Sequence, residues 1–246
     1  MINIVVPMAG SHGSEKEGGF PLPLTELSGK PIIQLVVENF DSIDIEKHYI
    51  FLVNDEDCTK FHLNDTISLL AGERSTIIRV KNPTRGAACT SLLAAHYIQN
   101  SDPLIITNSD QVIYQELREV HFSFMEKNYD AGVICFNSVH PRWSYVRLDD
   151  DKMVVEAAEK RPISRNAIAG FYWFRQGKDF VRAAMDSIEK DASVEGVFYI
   201  APVLNEFILN DMNVGCFKIS NEAYASFYSP ERRTEFQASQ LSVVNT

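Results

Sequence analysis

The sequence predicts an α/β fold in which helices cover both faces of a mostly parallel, mixed sheet. In the first half of the chain, short apolar runs alternate with amphipathic stretches. The apolar runs lack polar alternation, which is typical of strands that are buried on both faces of a parallel sheet. Their order, with a helix between consecutive strands, indicates successive βαβ units. No internal repeat or long linker interrupts the 246 residues, so we expect a single domain spanning residues 1–246.

Each element of the first half has its own signal. Runs rich in Ile and Val predict the strands, and the amphipathic stretches between them predict the helices. Pro31 fits the first turn of its helix, where a backbone N–H is not needed. The predicted strands are Ile2–Val6, Tyr49–Val53, Ser75–Val80 and Pro103–Asp110, and the predicted helices are Pro31–Phe40, Glu56–Leu70 and Gly86–Ile98.

The second half changes to strands that are joined by short turns. The polar run Asp149–Lys152 lies between two apolar runs and predicts a hairpin turn. Ligands of such sheets bind at the carboxyl ends of the parallel strands, so the polar loops after Val6 and Ile106 predict the binding site. The predicted elements are the strand 131–136, the hairpin 144–160, the strands 167–174 and 214–219, the helices 178–190 and 197–209, and a last helix from Pro230.

Composition excludes several classes of partner. The formal net charge is −10 and no basic block is present, which argues against nucleic acid or an anionic membrane as the main partner. Ile2–Val6 is far shorter than the ~20 residues of a membrane span, and no basic segment precedes it as in a signal peptide. The four cysteines are widely dispersed, which favours reduced thiols over disulfides or zinc. We therefore expect a cytoplasmic protein.

Two segments contain residues that suit a nucleotide. Asp110 in "NSDQ" follows a predicted strand, where a carboxylate suits a Mg²⁺ ion that neutralises phosphate oxygens. The alternative is that Asp110 only caps the following turn. In "TRGAACTSLLAA" (84–95), small residues at a predicted helix start allow a ring or phosphate to approach backbone N–H groups. The alternative is that they serve close packing of the helix on the sheet.

A third segment, "AEKRP" (158–162), places Glu159, Lys160 and Arg161 at the end of an apolar run. Such a cluster can hold the hydroxyls and phosphate of a sugar phosphate through charge-assisted hydrogen bonds. Alternatively, it is the solvated end of a hairpin. None of the three segments is decisive alone, but their order along the chain is far more specific than any one motif.

The succession "VVPMAG", "SGKPIIQLVVENF", "GAACTSLLA", "NSDQ", "HPRWSYVRLDDD", "EKRPIS" and "AGFYWF" resembles the sugar-phosphate nucleotidylyltransferase (NTP transferase) family. The likeness is strongest to the small bacterial branch associated with capsule and surface polysaccharides, and it covers about Ile2 to Ile219. It implies a Rossmann-like, GT-A-like fold, with residues 1–115 as a nucleotide-binding half and 116–246 as a sugar- or acceptor-binding half. It also implies a reaction in which an NTP and a sugar 1-phosphate, or a similar phosphate monoester, give an activated product and pyrophosphate with Mg²⁺. Homo-oligomerisation stays open.

The resemblance also implies roles for individual residues. Asp110 would hold Mg²⁺, and Lys160 would contact the sugar and its phosphate as a catalytic cation. Apart from the resemblance, Lys16 in the opening loop and Arg85 in a later loop are further candidates for catalytic cations. The residues implied to bind the nucleotide are Ala9, Gly10, Gly13, Gly86, Ala87, Ala88, Asn108 and Ser109. The residues implied to bind the sugar or other acceptor are Trp143, Ser144, Tyr145, Glu159, Asn166 and Gly170.

The chain departs from the family pattern at both ends. The family opens with G-x-G-x-R followed by P-K-P-L, whereas residues 10–15 contain no arginine and Leu22 stands at the lysine position. Near the C-terminal end, Tyr228 replaces the glycine of a Gly-Thr-Pro segment, and the nearest carboxylate is Glu222. Three hypotheses stay open: an active enzyme with a remodelled loop, a relative that binds without catalysis, and a glycosyltransferase that uses Asp149–Asp151.

Overall fold

The computed structural model describes residues 1–10, 16–17 and 20–244, apart from the side chains of residues 16, 17 and 239–244. Within these residues, the strands are separated by helices in the first half and by short turns in much of the second half. The strands of at least three residues are β1 (Ile2–Pro7), β2 (Lys47–Asn54), β3 (Ser75–Val80), β4 (Leu104–Thr107), β5 (Gln111–Ile113), β6 (Ala131–Asn137), β7 (Tyr145–Leu148), β8 (Val154–Ala158), β9 (Asn166–Phe174), β10 (Val214–Lys218) and β11 (Tyr224–Ser226). The helices are α1 (Ile32–Glu38), α2 (Asp55–Phe61), α3 (Leu63–Ala71), α4 (Ala87–Leu92), α5 (Ala95–Ile98), α6 (Leu117–Glu126), α7 (Gly177–Glu189), α8 (Ile200–Leu209) and α9 (Pro230–Val244).

Nine of these strands form one mixed sheet. Its main order is β8-β7-β9-β4-β1-β2-β3, and β6 pairs with both β9 and β10. β1 is parallel to β2 and to β4, and β2 is parallel to β3. β9 runs antiparallel to β4, β6 and β7, so the second half adds the mixed part of the sheet. The predicted α/β class with a mostly parallel first half is confirmed.

Apolar side chains fill both faces of the sheet, as expected for its continuous apolar strands. In β1, Ile2, Ile4 and Val6 enter one core cluster and Val5 enters the other. α1, α3 and α6 contribute to the first cluster, and α7 and α8 contribute to the second. The helices of both halves are therefore held by burial of their apolar faces against one sheet.

Two predicted helices are each divided into two. The expected helix Glu56–Leu70 breaks at His62, which adopts a left-handed conformation with φ 53°. On one straight helix, Cys58 and Leu63 would point about 140° apart, yet both are buried in the same cluster. The expected helix Gly86–Ile98 breaks after α4, where Leu93 and Ala94 donate backbone hydrogen bonds three residues back and tighten the chain.

Other elements lie close to their predicted positions. The hairpin turn at Asp149–Lys152 is confirmed, and Lys152 occupies the left-handed region with φ 65°. The last helix starts at Pro230 as predicted. The expected strand Pro103–Asp110 ends earlier, at Thr107, so Asp110 lies in the polar loop beyond it. No helix within the described residues is long and apolar enough to cross a membrane.

β9 changes partners at Gly170, and this change opens the sheet beside β4. On one edge of β9, Phe171–Phe174 pairs with β4, whereas Asn166 and Ala167 pair with β7. Gly170, between these segments, has φ 57° and a backbone that L side chains rarely adopt. The loop after β4 therefore faces the start of β7 across Gly170, which places residues of the two halves on either side of one cleft.

Candidate active site

A cleft of about 330 Å³ lies where the loops after β1 and β4 meet the second half of the chain. It collects many of the residues that the sequence singled out. Its lining comprises Pro7, Met8, Gly10, Leu22, Ala87, Asn108, Ser109, Asp110, Arg142, Trp143, Ser144, Glu159, Ile168, Gly170, Tyr172, Tyr199, Ile200 and Tyr224. The carboxyl ends of β1 and β4 contribute to it, as expected for an α/β sheet.

Asp110 is held at the cleft by its backbone. The N–H of Asn108 donates to the carbonyl of Gly170 at 3.1 Å, and the N–H of Phe227 donates to the carbonyl of Asp110 at 2.7 Å. The carboxylate is free of any ion pair within the described residues. Its desolvation by the cleft walls raises the pKa of Asp110 to about 6. A carboxylate that lacks a cation in this way suits a site that receives one with its ligand.

A polar network behind Asp110 links the two halves. Gln111 is buried, and its amide donates to the carbonyls of Ala169 at 2.7 Å and Gly170 at 3.0 Å. The Tyr224 hydroxyl donates to Gln111 Oε1 at 3.0 Å. A Cβ added to Gly170 would lie 2.3 Å from Gln111 Oε1 and 2.4 Å from Asn108 Nδ2. Gly170 is therefore needed for close approach as well as for its backbone conformation.

Glu159 lines the side of the cleft formed by the second half, whereas the predicted Lys160, next to it in the chain, is not among the lining residues. The Ser144 hydroxyl donates to Glu159 Oε2. Burial raises the pKa of Glu159, although the Ser144 hydrogen bond and Lys160 oppose that rise. Lys160 Nζ lies 5.1 Å from the centre of the Tyr199 ring, which itself lines the cleft. A hydrogen bond with Tyr199 raises the pKa of Lys160, so the ammonium stays charged at neutral pH.

Several predicted residues lie behind the lining and support it. Gly86 immediately precedes α4 with φ 116°, and the N–H of Ala88 donates to the carbonyl of Phe198 at 3.0 Å. Tyr145 is fully buried, and its hydroxyl donates to the carbonyl of His140 at 2.7 Å. The Asn166 amide donates to the carbonyl of Val146. Ala9 is buried between the lining residues Met8 and Gly10.

None of the predicted cations whose side chains the structure describes is among the lining residues. Arg85 is exposed, lies over the Phe198 ring at 4.9 Å, and donates through Nε to the carbonyl of Gly196. Gly13 and the side chain of Lys16 lie outside the described residues. Leu22, which stands at the family's lysine position, is buried and lines the cleft.

Sequence reasoning missed a cation and several aromatic residues. Arg142 is the one Lys or Arg side chain that lines the cleft within the described part of the chain. Its guanidinium carbon lies 5.4 Å from the Trp143 ring centre and 4.8 Å from that of Tyr228. Tyr172, Tyr199 and Tyr224 also line the cleft. The signal that was available is the "PRW" segment, next to residues that were already candidates.

The donor set fits a Mg²⁺ ion that arrives with substrate phosphates. Among the described residues there is no cluster of three or more His, Cys, Asp or Glu side chains that would hold a metal ion alone. Mg²⁺ is usually held by one or two carboxylates together with phosphate oxygens and water, and Asp110 supplies one such carboxylate. The neighbouring strand β11 supplies no second carboxylate, because its residue opposite Gln111 is Ser226. Glu222, which precedes β11, is not among the lining residues.

The aspartates of the hairpin turn do not contribute to the cleft. Asp149, Asp150 and Asp151 are exposed, and none is among the lining residues. Asp149 instead accepts a hydrogen bond from the N–H of Met153 within the turn. These contacts favour the solvated hairpin turn over a metal site.

Three solved structures are similar to this chain over almost its whole length. A nucleoside-diphosphate-sugar pyrophosphorylase from Vibrio cholerae RC9 matches with a TM-score of 0.81 and 21% identity, covering 96% of this chain and 99% of that chain. A putative glucose-1-phosphate thymidylyltransferase from Bacillus anthracis, in complex with a sucrose, matches with a TM-score of 0.75 and 17% identity, covering 97% and 94%. CMP:2-keto-3-deoxy-manno-octonic acid synthetase complexed with CTP matches with a TM-score of 0.70 and 14% identity, covering 98% of both chains. At these identities the similarity concerns the fold, and it confirms the Rossmann-like class.

The sequence itself carries a family match. None of the curated proteins matches it. The family model described as nucleotidyl transferase (NTP_transferase) matches residues 20–206, which is well over half of the chain. The protein therefore belongs to the nucleotidyl transferase family.

Proposed function

We propose that this protein is a nucleotidylyltransferase that joins an NTP to a sugar 1-phosphate or a similar phosphate monoester. Pyrophosphate is the second product, and the activated product serves the synthesis of a surface polysaccharide in the cytoplasm. Residues 1–115 supply the nucleotide side of the site, and residues 116–246 supply the acceptor side. The polysaccharide role rests on the resemblance of the ordered segments to the small capsule-associated branch of the family.

One observation carries the proposal: residues of both implied sites line the same cleft. Gly10, Ala87, Asn108, Ser109 and Asp110 come from the implied nucleotide side. The implied acceptor side contributes Trp143, Ser144, Glu159 and Gly170. These residues are spread over most of the sequence, so their convergence is more specific than any single motif.

The reaction places particular demands on these residues. A phosphate oxygen of the acceptor attacks the α-phosphorus of the NTP, a new P–O bond forms, and the bond to the β-phosphate breaks so that pyrophosphate leaves. Because anions approach one another, catalysis consists mainly of positioning and charge neutralisation. Glu159 and Ser144 suit the hydroxyls of a sugar, since a carboxylate accepts their hydrogen bonds. The small residues Gly10 and Ala87 leave room for the nucleotide beside the backbone.

The implied Mg²⁺ would be held by Asp110 together with substrate phosphates, and it would neutralise part of their charge. The carboxylate that this requires is present and carries no competing ion pair within the described residues. Lys160 remains charged at neutral pH and stands beside Tyr199 at the acceptor side, where it suits the acceptor's phosphate.

The direct test is pyrophosphate release from a panel of NTPs, sugar 1-phosphates and other phosphate monoesters with Mg²⁺ or Mn²⁺. We expect release with one nucleotide and one class of acceptor, and formation of the corresponding activated product by mass spectrometry. A folded protein that turns over no combination contradicts the proposal. Asp150→Asn, in the exposed hairpin turn, serves as a control that should behave like the wild type.

The buried apolar Leu22 favours a second candidate function, a relative that binds a nucleotide or sugar phosphate as a regulatory or structural subunit. A leucine in the cleft cannot neutralise a phosphate, so this wall lacks the cation that the family pattern places there. Tight binding of an activated product without turnover supports this function, and efficient turnover contradicts it.

Leu22→Lys, combined with an arginine introduced at Ser11–Glu15, separates the two candidates. If the natural loop has lost its catalytic role, the double variant should be at least about 10²-fold more active than the wild type. One electrostatic group contributes about this much to the rate of other enzymes. If the wild type is active and the variant gains nothing, the site uses other cations. Leu22→Met controls for the loss of the leucine packing.

A further inference from the structure

We propose that Arg142 forms a phosphate-binding site in the cleft and supplies a positive charge that the first half of the chain does not place there. This inference rests on the proposed function and names the group that receives a substrate phosphate. The ligand chemistry is a phosphate monoester or the phosphate of a nucleotide.

The position of Arg142 supports this role. Within the described residues, it is the one Lys or Arg that lines the cleft. Together with Trp143 and Tyr224 it also lines a second cavity of about 400 Å³, which reaches towards α9. The guanidinium therefore stands on the shared border of two open spaces and is accessible to a ligand.

The contacts of Arg142 hold its guanidinium and leave donors available. The Trp143 and Tyr228 rings lie within cation–π distance of its guanidinium, and Nε donates to His140 Nδ1 at 3.2 Å. In the part of the chain that the structure describes, the two terminal nitrogens have no acceptor and no carboxylate forms an ion pair with them. Aromatic contacts orient the guanidinium without consuming these N–H groups. A planar guanidinium with free donors matches two oxygens of a phosphate.

Three other arginines already have carboxylate partners. Arg147 and Arg161 both form ion pairs with Glu156, at 3.0 and 2.9 Å. Arg85 lies 3.9 Å from Asp191 and stacks on Phe198. Arg142 differs from these three arginines in having no carboxylate partner among the described residues, although the chain carries a net charge of −10.

Two departures from the family pattern fit together around this site. Leu22 removes a cation from one side of the cleft. Tyr228, which stands in place of the family's glycine, supplies one of the rings that hold Arg142 on the other side. A glycine at position 228 has no ring to offer. The Tyr228 ring therefore helps to hold the Arg142 guanidinium in the cleft that Leu22 also lines.

The test measures phosphate binding in the full-length protein. Arg142→Ala is compared with the wild type, with Arg142→Lys, and with the control Arg147→Ala, whose arginine lies on the exposed hairpin. The probes are inorganic phosphate, glucose 1-phosphate and each common NTP, and calorimetry gives the affinities. Trp143 fluorescence is a second readout, because the other tryptophan, Trp173, is fully buried. Trp143→Phe should abolish the phosphate-dependent part of that signal.

We expect Arg142→Ala to weaken phosphate binding by about 10- to 10²-fold, which corresponds to losing hydrogen bonds to a charged group. Arg142→Lys should retain part of the affinity because it keeps a point charge and loses the planar fork. Arg147→Ala should bind like the wild type. Tyr228→Leu should give a smaller loss than Arg142→Ala, because it loosens the guanidinium without removing it.

The probes also distinguish the source of the phosphate. A loss confined to glucose 1-phosphate assigns Arg142 to the acceptor, and a loss confined to an NTP assigns it to the nucleotide; both support the site. Equal affinities of the wild type and Arg142→Ala for every probe overturn it, as does a wild type that binds no probe. Thermal unfolding of Arg142→Lys and Tyr228→Leu checks that the variants are folded. A failure of pyrophosphate release alone contradicts the proposed function and leaves this binding result standing.

Discussion

The two walls of the cleft offer very different surfaces to an anion. The first wall, formed by Pro7, Met8, Gly10 and Leu22, is mostly apolar within the described residues. The second wall carries a guanidinium, a carboxylate and the aromatic rings of the lining, and it consists of Arg142, Trp143, Ser144, Glu159, Tyr172, Tyr199 and Tyr224. Asp110 lies in the loop beyond β4, and β4 pairs with β1 of the first half on one side and with the antiparallel β9 of the second half on the other.

This difference concerns where charge is placed rather than how the chain folds. In the first wall, Leu22 places an apolar side chain in the cleft rather than a cation. The second wall holds Arg142 between two rings, and Tyr228 is one of the residues by which the sequence departs from the family pattern. If the proposed function holds, the anionic groups of a substrate are neutralised mainly by Arg142 in the second wall and by a Mg²⁺ ion that Asp110 would hold.

The largest effect is expected from Asp110→Asn. An amide cannot supply the anionic ligand that a Mg²⁺ ion requires between the two walls, so turnover in the pyrophosphate assay should fall by about 10³-fold. The control is Asp150→Asn, the same change on the exposed turn, which should leave turnover unchanged. Near-normal turnover of Asp110→Asn would show that the carboxylate does not serve the reaction.

Gly170→Ala is expected to have the next largest effect, on stability and on the junction of the walls. The new Cβ would lie 2.3 Å from Gln111 Oε1 at a backbone with φ 57°. Strain and the displaced amide should together lower the free energy of unfolding by about 2–4 kcal/mol, measured by chemical denaturation. The matched control is Gly29→Ala, also at positive φ but in open space, which should cost about 1 kcal/mol. Equal costs at the two positions would contradict the close-approach argument.

Asp110 and Gly170 also show what the sequence could predict. The apolar runs predict the strands of the first half to within a few residues. The rule that ligands bind at the carboxyl ends of such strands predicts that the loop with Asp110 lies at the cleft. The position of Gly170 came from the family resemblance. Its physical reason, the partner change in β9, depends on sheet order, which the residues of one strand do not encode.

Arg142 shows what local reasoning could not provide. Its neighbours Trp143 and Ser144 were candidates by resemblance, yet its own proposed role depends on Tyr228, far away in the chain.

Helix breaks were missed for a related reason. The left-handed His62 lets Cys58 and Leu63 enter one core cluster, and that requirement is set by the sheet beneath rather than by helix propensity. Tertiary packing decided both outcomes.

The pH dependence of stability gives a third prediction, which again concerns Asp110. Its pKa rises from the ordinary 3.8 to about 6 in the folded protein. The folded state therefore binds the proton more tightly, so stability falls as pH rises from about 4 to 6 and stays lower above that. The full shift corresponds to about 3 kcal/mol, and partial exposure of the side chain reduces this to about 1–2 kcal/mol.

Denaturation of the wild type and Asp110→Asn in EDTA tests this pH dependence. The variant lacks the titrating group, so its advantage over the wild type should be about 1–2 kcal/mol larger at pH 7.5 than at pH 4. Added Mg²⁺ should reduce this difference in stability at pH 7.5, because it binds the carboxylate of the wild type. If the difference in stability between the two proteins is the same at pH 4 and pH 7.5, burial in the cleft does not disfavour the charged form of Asp110.

The smallest effect is expected from Tyr224→Phe, which tests the link between the walls. Tyr224 lines the second wall, and its hydroxyl donates to Gln111 Oε1, next to Asp110. Removing the hydroxyl leaves a buried acceptor without this donor, so stability should fall by about 1 kcal/mol. If the hydrogen bond sets the spacing of the walls, KM for the acceptor should rise by up to about five-fold while the NTP KM changes little. Tyr97→Phe, on an exposed ring away from the cleft, should change neither quantity. A rise in both KM values would indicate that Tyr224 serves the nucleotide as well, and no change in either would leave the hydrogen bond a purely structural role.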